Sequence, residues 1–472
     1  MKKIDIFSRF LTALFICSLL AAPVCGAQLD SNAVQTAVGS SFGIDATHAI
    51  LTNEDLAENA KAVFLYEYES QTLMYAWNAD ERMDPASMVK IMTALVAVEK
   101  CEMTDVAVVT ENALSRVPQD AVSADLQIDE LLTLEELLYC MLVGSANDAA
   151  SVIAEHVGGT VDAFVEIMNT RAAELGCKDT NFTNPHGIYE DQQFSTARDM
   201  ARILSIAIQN EAFRTVFGTV THQVSATNKS EERDLSTGNY LMNDDEMPLY
   251  FDERVIGGRT GVAGDGTRCL ATVAQNNGMS LISILMGAKD GYEEDGYAVQ
   301  SFGGYKETSA LFAAGFDGYK VSQILYPGQS LVQLPVQNGS SDVVLGPTES
   351  VSAVLPAGTS LKDLTFRYDD GAYRISAPVI KGEEVASLQV WNGNVCVAEA
   401  KLCALNSVPV YSAADISEST DGNTTKTVLM IIISVVMICV LLLLFVRFSE
   451  RIRKLFYTRR SRRYRRSRRR SR

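Results

Sequence analysis

The segment "DPASMVKIMTALVAVEK" (residues 84–100) decides the fold, because it places a chemically distinctive pair of residues at the start of a buried helix. Pro85 and Ala86 bring the chain to Ser87, and apolar residues then recur at the three- and four-residue spacing of a helix. Ser87 therefore lies in the first turn, and Lys90 follows one turn later on the same face. A hydroxyl beside a partly desolvated amine suits nucleophilic catalysis, with the amine as the base.

Helix capping offers a simpler explanation for this pair. Ser87 could cap the helix while Lys90 is a solvated surface residue, and Ser-x-x-Lys alone is a weak motif. In this chain, however, Lys90 is the only lysine with a serine three residues before it. The apolar neighbours Met88, Val89 and Ile91 further indicate that the pair is buried against a core.

A second segment, "MLVGSANDAASVIAEHVGG" (141–159), predicts two helices separated by a break at Gly144, the first of them starting near Leu131. Ser145 and Asn147 then lie in a tight turn between the helices, where short polar side chains can point into a cleft. The alternative is that both residues only punctuate the turn, with the next residue, an aspartate, capping the following helix.

A third segment, "VIGGRTGVAG" (255–264), predicts a strand whose glycines leave room for a substrate backbone and whose one cation is Arg259. This cation is conspicuous because the middle of the chain is strongly acidic. The net charge of the chain is −17, and setting aside a leader of charge +2 and a tail of charge +13 leaves −32. Such a balance argues against nucleic-acid binding.

The two ends of the chain predict export and a membrane anchor. Residues 1–27 combine basic residues, a short apolar run and small residues before a cleavage site, as signal peptides do. Residues 427–446 form an uncharged apolar run that predicts a transmembrane helix, and an arginine-rich tail (447–472) follows. By the positive-inside rule we expect a single-pass protein of the cell membrane, with the tail in the cytoplasm and residues 28–426 outside.

Between these ends the hydrophobic pattern predicts two domains. The first, 28–318, mixes amphipathic helices with an antiparallel sheet. Its helical segments are 88–100, 130–157, 161–175 and 196–210, and its strand segments are 62–78, 268–274 and 279–287. The second, 319–410, alternates short apolar runs with glycine-containing turns, as a small all-β sandwich does, and a polar linker (411–426) follows it.

Cysteine and histidine usage predicts neither a disulfide framework nor a metal site. The cysteines between leader and linker are irregularly spaced, and Cys396 and Cys403 are the best candidates for a pair. The histidines are scattered, and no cluster has the spacing of a zinc site.

Taken together, Ser87-x-x-Lys90, Ser145-x-Asn147 and Arg259-Thr260-Gly261 resemble the three motifs of the serine penicillin-binding proteins and β-lactamases. The resemblance is strongest to the low-molecular-mass penicillin-binding proteins, the secreted D-alanyl-D-alanine carboxypeptidases. "NPHGIYEDQQFSTARDMARI" (184–203) and "RCLATVA" (268–274) are similar to that family's flanking segments. The implied fold class is an α/β (α+β) serine penicillin-binding/β-lactamase-like domain with an antiparallel sheet flanked by helices. A small all-β sandwich domain and a C-terminal transmembrane helix follow it.

The resemblance also implies a role for each motif residue. Ser87 is the nucleophile, Lys90 the general base and Ser145 the proton relay to the leaving D-alanine. The remaining motif positions bind substrate, and these are Asn147, Arg259, Thr260, Gly261 and Val262. Thr260 and the cation at 259 face the terminal carboxylate, and the backbone N–H groups of Ser87 and Val262 form the oxyanion hole. His186 and Asp199 are expected to be structural.

The implied partners are peptidoglycan stem peptides ending in D-Ala-D-Ala, with β-lactams as inhibitors, and neither a cofactor nor a metal is expected. The sequence departs from the family where lysine is usual at Arg259 and where threonine is common at Val89 and Ala263. Arginine keeps the charge but cannot give up its proton, so we expect Arg259→Lys to react at an equal or higher rate.

Two other functions remain open at this point. A β-lactamase or esterase could use the same nucleophile, but no glutamate between Asn147 and Arg259 is followed four residues later by the asparagine that fast deacylation needs. A non-catalytic or attenuated penicillin-binding wall protein could keep the fold. The intact motif residues argue against this alternative, and these are Ser87, Lys90, Ser145 and Asn147, whereas Arg259 and Ala263 keep it open.

Overall fold

The computed structural model describes residues 39–292, 299–368, 375–411, 429–441 and 447–448. The chain divides into two compact units. The first comprises the residues up to Ser330 together with Gly346–Gly371 and Glu384–Cys403, and the second comprises Leu331–Leu345, Ala372–Glu383 and the residues from Ala404 onward. The predicted leader over residues 1–27 lies outside the described residues.

Helices and strands alternate through most of the described chain. The helices up to residue 318 are α1 Val89–Lys100, α2 Glu111–Ser115, α3 Leu134–Leu142, α4 Asn147–Gly158, α5 Val161–Glu174, α6 Ala197–Ala207, α7 Glu211–Phe217 and α8 Tyr305–Gly318. The strands are β1 Gly39–Ser40, β2 Ala62–Glu67, β3 Thr72–Trp77, β4 Val106–Val108, β5 Leu131–Thr133, β6 Thr221–Val224, β7 Arg233–Ser236, β8 Val255–Val262, β9 Arg268–Asn276, β10 Met279–Ala288, β11 Gly291–Tyr292, β12 Val299–Ser301, β13 Tyr319–Leu325, β14 Val332–Leu334, β15 Val343–Pro347, β16 Val351–Pro356, β17 Leu364–Tyr368, β18 Glu384–Asn392 and β19 Val395–Ala404.

The centre of the first unit is a five-stranded antiparallel sheet in the order β3-β2-β10-β9-β8. The two hairpins that the sequence predicts, β2–β3 and β9–β10, are confirmed. Asn277 and Gly278 both have positive φ in the tight turn of the second hairpin, as a two-residue connection requires. Strand β8, which carries the third motif, is the last strand of this sheet.

Successive side chains of a strand point to opposite faces of the sheet. Both faces of this sheet are buried by the elements that pack on them. On one face Ile282 and Ile284 belong to a large core that includes the helices α1 and α3 to α6. On the other face Leu281 and Leu285 pack in a second core with Phe312 of α8. The sheet therefore holds the helices of the motifs on one side and α8 on the other.

Most predicted helices are confirmed, with one correction. The helical run predicted from 130 to 157 contains the strand β5 and then the two helices α3 and α4. Thr133, the last residue of β5, is also the N-cap of α3. Its side chain accepts a hydrogen bond from the Glu136 backbone N–H. The β-branched and apolar residues of Leu131–Thr133 pair with β4 instead of entering the helix.

Between α8 and residue 411 the described elements are strands, apart from a 3-10 turn at Leu361–Asp363, so the predicted all-β domain is confirmed. Within the first unit β13 pairs with β16, and β17, β18 and β19 pair antiparallel. In the second unit β14 pairs with β15. The sandwich arrangement of this domain and the predicted domain limits stay predictions.

The transmembrane helix that the sequence predicts over residues 427–446 is wrong. In the part of the chain that the structure describes, no helix combines the length and the apolar character that crossing a bilayer needs. The described helical residues of this stretch run from 429 to 441. The single-pass membrane localisation, which depended on this helix, is wrong for the same reason.

The proposed pairing of Cys396 with Cys403 is excluded by position. Both residues lie on β19, seven residues apart along one extended strand. At about 3.3 Å per residue their Cα atoms are separated by about 23 Å, far beyond the span of a disulfide. Cys396 Sγ donates instead to the Ala398 carbonyl oxygen.

Candidate active site

A strained turn presents Ser87 at the start of α1. Ala86 has φ = 49°, a left-handed conformation that costs an alanine on the order of 1 kcal/mol. The 3-10 turn Ala86–Met88 then leads directly into α1. Ser87 is half-exposed in this otherwise buried turn, so its hydroxyl can reach an external group.

The carboxylate of Asp84 fixes this turn. Its Oδ1 accepts from the Ala86 backbone N–H at 2.9 Å, and its Oδ2 accepts from the Gly264 backbone N–H at 2.9 Å. One side chain therefore ties the strained turn to the residues that follow strand β8. The sequence analysis did not assign this role to Asp84. Its position directly before Pro85, at the start of the first motif, is the sequence feature that could have indicated it.

Lys90 is fully buried beneath Ser87. Its Nζ lies 3.1 Å from Ser87 Oγ, 2.6 Å from Asn147 Oδ1 and 2.7 Å from the His186 carbonyl oxygen. Burial lowers the pKa of Lys90 well below its usual value, and the nearby Arg259 charge lowers it further. The structure thus brings the predicted base to the predicted nucleophile and favours its neutral form.

The residue Asp148 acts in the opposite direction on Lys90. Its negative charge raises the pKa of Lys90, although less than burial lowers it. The carboxylate is itself buried, where it accepts from Ser123 Oγ at 2.6 Å and from the Ala124 and Leu126 backbone N–H groups. The sequence suggests only a helix cap at this position, because the distant partners become neighbours only in the folded chain.

Ser145 lies, as predicted, in the turn between α3 and α4, whereas Asn147 is the first residue of α4. Ser145 has φ = 63°, and Ala146 N–H donates to the Cys140 carbonyl oxygen, which closes the end of α3. The backbone N–H and Nδ2 of Asn147 both donate to the Val122 carbonyl oxygen at 2.9 Å. Asn147 Oδ1 is therefore held in place to accept from Lys90.

Arg259 connects the third motif to the second. It is buried, with Nη1 donating to the Leu142 carbonyl oxygen at 3.2 Å and Nη2 donating to Ser145 Oγ. Burial lowers the pKa of Arg259 to about 10, which leaves the guanidinium charged at neutral pH. The structure therefore brings the five residues together as two hydrogen-bonded groups, Ser87–Lys90–Asn147 and Ser145–Arg259, close enough for the Arg259 charge to act on Lys90.

Thr260 and Arg259 do not face the same way. Arg259 points towards Ser145, whereas the Thr260 hydroxyl lies close to Gly238, whose carbonyl oxygen accepts from the Tyr305 hydroxyl of α8. Alternate side chains of a strand point to opposite faces, which explains the difference. Val262, the last residue of β8, is 59 % exposed.

The glycines of β8 make room for the protein itself rather than for a substrate backbone. A Cβ at Gly261 would lie 2.6 Å from Ser87 N, and one at Gly257 would lie 2.6 Å from the Phe217 ring. At Gly258 the side-chain amide of Asn239 fills the space. Gly261 consequently allows β8 to contact the backbone of the nucleophile.

The structural roles expected for His186 and Asp199 agree with their contacts. Asp199 Oδ2 accepts from Asp179 N–H and Thr180 Oγ1, close to the start of α6. Burial and the Lys90 charge lower the pKa of His186 to about 3, so the ring is neutral. His186 still belongs to the site, because its backbone carbonyl oxygen accepts from Lys90 Nζ. No sequence motif predicts this backbone contact.

Sequence profiles of known families match both parts of the chain. The profile described as D-alanyl-D-alanine carboxypeptidase matches residues 49–290, which contain all three motifs. The chain belongs to the D-alanyl-D-alanine carboxypeptidase family. A second profile, described as the C-terminal domain of penicillin-binding protein 5, matches residues 319–414 of this carboxypeptidase.

Curated relatives agree with this assignment. The carboxypeptidase is 27 % identical over 380 residues to D-alanyl-D-alanine carboxypeptidase DacF of Bacillus subtilis, covering 79 % of this chain and 92 % of the relative. It is 28 % identical over 379 residues to D-alanyl-D-alanine carboxypeptidase DacC of Escherichia coli, covering 78 % and 88 %.

A solved structure has the same fold. The structure of penicillin binding protein 5 from Haemophilus influenzae matches with a TM-score of 0.63 at 28 % identity, covering 74 % of this chain and 98 % of that chain. The predicted family, a low-molecular-mass penicillin-binding protein, and the predicted class, a serine-type D-alanyl-D-alanine carboxypeptidase, are confirmed.

The contact between Gly261 and Ser87 makes a sharp prediction. Gly261→Ala places a Cβ 2.6 Å from Ser87 N and must displace the nucleophile turn. We expect acylation by a fluorescent penicillin to slow about a hundredfold or more, the size of effect seen when one oxyanion donor is lost. Gly318→Ala, where a Cβ meets nothing within 4 Å, is the matched control and should react normally. Normal acylation of Gly261→Ala would contradict the contact.

Proposed function

We propose that this carboxypeptidase removes the terminal D-alanine from peptidoglycan stem pentapeptides through an acyl-enzyme on Ser87. The observation that carries the proposal is the fully buried Lys90, whose Nζ lies 3.1 Å from Ser87 Oγ. A buried amine beside a half-exposed hydroxyl is the arrangement that a serine nucleophile without a histidine needs.

Lys90 acts as the base in its neutral form. A neutral amine has two N–H groups and one lone pair. Asn147 Oδ1 and the His186 carbonyl oxygen accept the two N–H groups, at 2.6 and 2.7 Å. The lone pair then faces Ser87 Oγ and takes its proton as Oγ attacks the carbonyl carbon between the two D-alanines.

The oxyanion that forms needs donors aimed at it before the reaction begins. Ser87 N–H and Val262 N–H are the proposed donors. Asp84 supports their placement, since it ties the turn before Ser87 to the chain that follows Val262. The close contact at Gly261 brings β8 against the nucleophile at the same point.

Ser145 relays a proton to the leaving D-alanine: its hydroxyl gives its own proton to the departing amine and recovers one from the Lys90 ammonium that formed when Ser87 attacked. Because Arg259 Nη2 donates to Ser145 Oγ, the hydroxyl hydrogen of Ser145 is free to point elsewhere, towards the departing amine. Collapse of the tetrahedral intermediate breaks the C–N bond and leaves Ser87 acylated. Water then attacks the ester and frees Ser87. Before these steps, when the substrate binds, the charge of the buried Arg259 attracts the terminal carboxylate of the substrate.

A β-lactam follows the same first step, since attack by Ser87 opens its ring and forms an ester on the same oxygen. The amine that would depart stays tethered to the acyl group. Water therefore hydrolyses the ester on Ser87 slowly. The binding of β-lactams is supported by the penicillin-binding fold of the domain.

Replacing the nucleophile tests the whole proposal. Ser87→Ala should abolish both labelling by a fluorescent penicillin and D-alanine release from a peptide ending in D-Ala-D-Ala, because no other hydroxyl lies against Lys90 in the described site. Ser205→Ala is the control, since its half-buried hydroxyl bonds only within α6.

The pattern of results separates the alternatives. Labelling that does not depend on Ser87 would contradict the proposal. Ser87-dependent labelling without D-alanine release would indicate an attenuated penicillin-binding protein. Rapid loss of the label with release of opened penicillin would indicate a β-lactamase.

The contacts of Arg259 reverse one expectation from the sequence. Its two terminal nitrogens reach different acceptors, Leu142 O and Ser145 Oγ, and a lysine has one nitrogen on a shorter chain. We therefore expect Arg259→Lys to lower kcat/KM about tenfold, the size of one lost hydrogen bond to a charged group. Arg259→Gln, which also removes the charge, should lose more. An equal or higher rate for Arg259→Lys would show that the charge alone suffices.

The acid limb of the pH profile should report Lys90. The amine is active when neutral, so the rate of acylation rises with pH through the pKa of Lys90, and the lowered pKa moves this rise well below pH 10.5. Asp148→Asn removes a charge that raises this pKa, so its acid limb should move to lower pH. A measured profile of kcat/KM against pH checks both, and an unmoved limb would contradict Lys90 as the base.

A further inference from the structure

Far from the active site, the fold brings His156 to Cys101 and Asp105, two residues that lie close together in the sequence. The ligand atoms of Cys101, Asp105 and His156 all lie within 4.8 Å of one another. None of the three residues is fully buried, so an ion in solution can reach them. It is the one group of this kind within the described part of the chain.

Two helices and a tight turn position this cluster. Cys101 directly follows α1, and Asp105 lies in the turn that leads to β4. The turn is held in place, because Glu102 N–H donates to Asp105 Oδ2 at 3.0 Å and Leu134 N–H donates to the Asp105 carbonyl oxygen at 2.8 Å. His156 lies in the last turn of α4.

The ligand atoms are available. Among the described residues, neither Cys101 Sγ nor the His156 ring makes a hydrogen bond to another protein group. Asp105 Oδ2 accepts one backbone N–H, which orients the carboxylate as an outer partner would in a metal site.

We propose that Cys101, Asp105 and His156 bind a zinc ion, with a water molecule as the fourth ligand. Thiolate, imidazole and carboxylate are the three ligand types that zinc takes in proteins. A tetrahedral site with the usual bond lengths separates its ligand atoms by about 3.3 to 3.8 Å. The observed ligand atoms, all within 4.8 Å of one another, therefore need to approach by at most about 1.5 Å.

The ligand set favours zinc over the hard cations. Calcium and magnesium prefer sites made of oxygen ligands, whereas a thiolate and an imidazole select softer ions. A thiolate and a carboxylate together also neutralise the double charge of zinc. Zinc binds the thiolate of Cys101, so the thiol proton leaves to solvent when the ion binds.

The place of the cluster suggests what the ion does. The helices α1 and α4 start at the active site, one with Lys90 in its first turn and the other with Asn147, and both end at the cluster. The length of α1 puts the ion about 18 Å from Ser87, so it cannot take part in the reaction. It holds the far ends of the two helices together.

Zinc binding by the full chain tests the proposal. After treatment with a chelator, the wild type should bind one zinc ion in competition with a chromophoric chelator. Cys101→Ser and His156→Gln should bind it at least tenfold more weakly. Cys177→Ser is the matched control, because Cys177 is a half-buried thiol outside the cluster, with Sγ donating to the Asp199 carbonyl oxygen. It should bind zinc as the wild type does.

Two further measurements identify the ligands. Cobalt(II) should give the strong thiolate charge-transfer absorption and the intense visible bands of a tetrahedral site in the wild type and in Cys177→Ser, and neither signal in Cys101→Ser. Zinc should raise the melting temperature of the wild type and of Cys177→Ser, whereas calcium and magnesium should not.

Several outcomes would overturn the site. The first outcome is that the wild type binds no zinc after treatment with the chelator. The second is that Cys101→Ser and His156→Gln bind zinc as tightly as the wild type. A cobalt spectrum without thiolate absorption would also overturn it. If Cys101→Ser does not fold, the incompletely buried His156→Gln decides the question by the same measurements.

Discussion

The burial of the Lys90 amine is the constraint on which the rest of the site depends. A charged ammonium group is costly to place in a protein interior, so a buried lysine needs polar partners or loses its proton. Here it has both, because three oxygens surround Nζ and its pKa is lowered. Those oxygens come from the 3-10 turn before α1, from the start of α4 and from the segment before α6. The amine can only be satisfied when all three are in place.

Two carboxylates set the conditions around this amine. Asp84 holds the strained turn of Ser87 against the end of β8, and so fixes the nucleophile in front of the amine. Asp148 lies beneath the site and partly opposes the lowering of the Lys90 pKa. The result is a base whose charge depends on burial and on two neighbours of opposite sign, Arg259 and Asp148. Such balanced environments are how proteins adjust a catalytic pKa.

Arg259 shows how a substitution in a motif can be absorbed by the fold. Its guanidinium reaches two acceptors on the turn between α3 and α4, and so links the edge of the sheet to the second motif. The charge remains near the site, but the geometry is that of a planar fork rather than of a point charge. Enzyme class and fold agree with the relatives, while the roles of individual residues stay proposals.

The sequence by itself determined the family, the two hairpins, the helix that starts at Ser87 and the order of the three motifs, because these depend on local periodicity and on short spacing. The prediction of a transmembrane helix over residues 427–446 was wrong. The apolar run is long enough by sequence, but the helix in the described residues does not have the length and apolar character that crossing a bilayer needs. Only the tertiary structure decided which distant groups meet: Asp84 with Gly264, the His186 carbonyl with Lys90, and Cys101 with His156. The physical reason is that burial, pKa and coordination depend on neighbours across the fold, and no spacing along the chain specifies those neighbours.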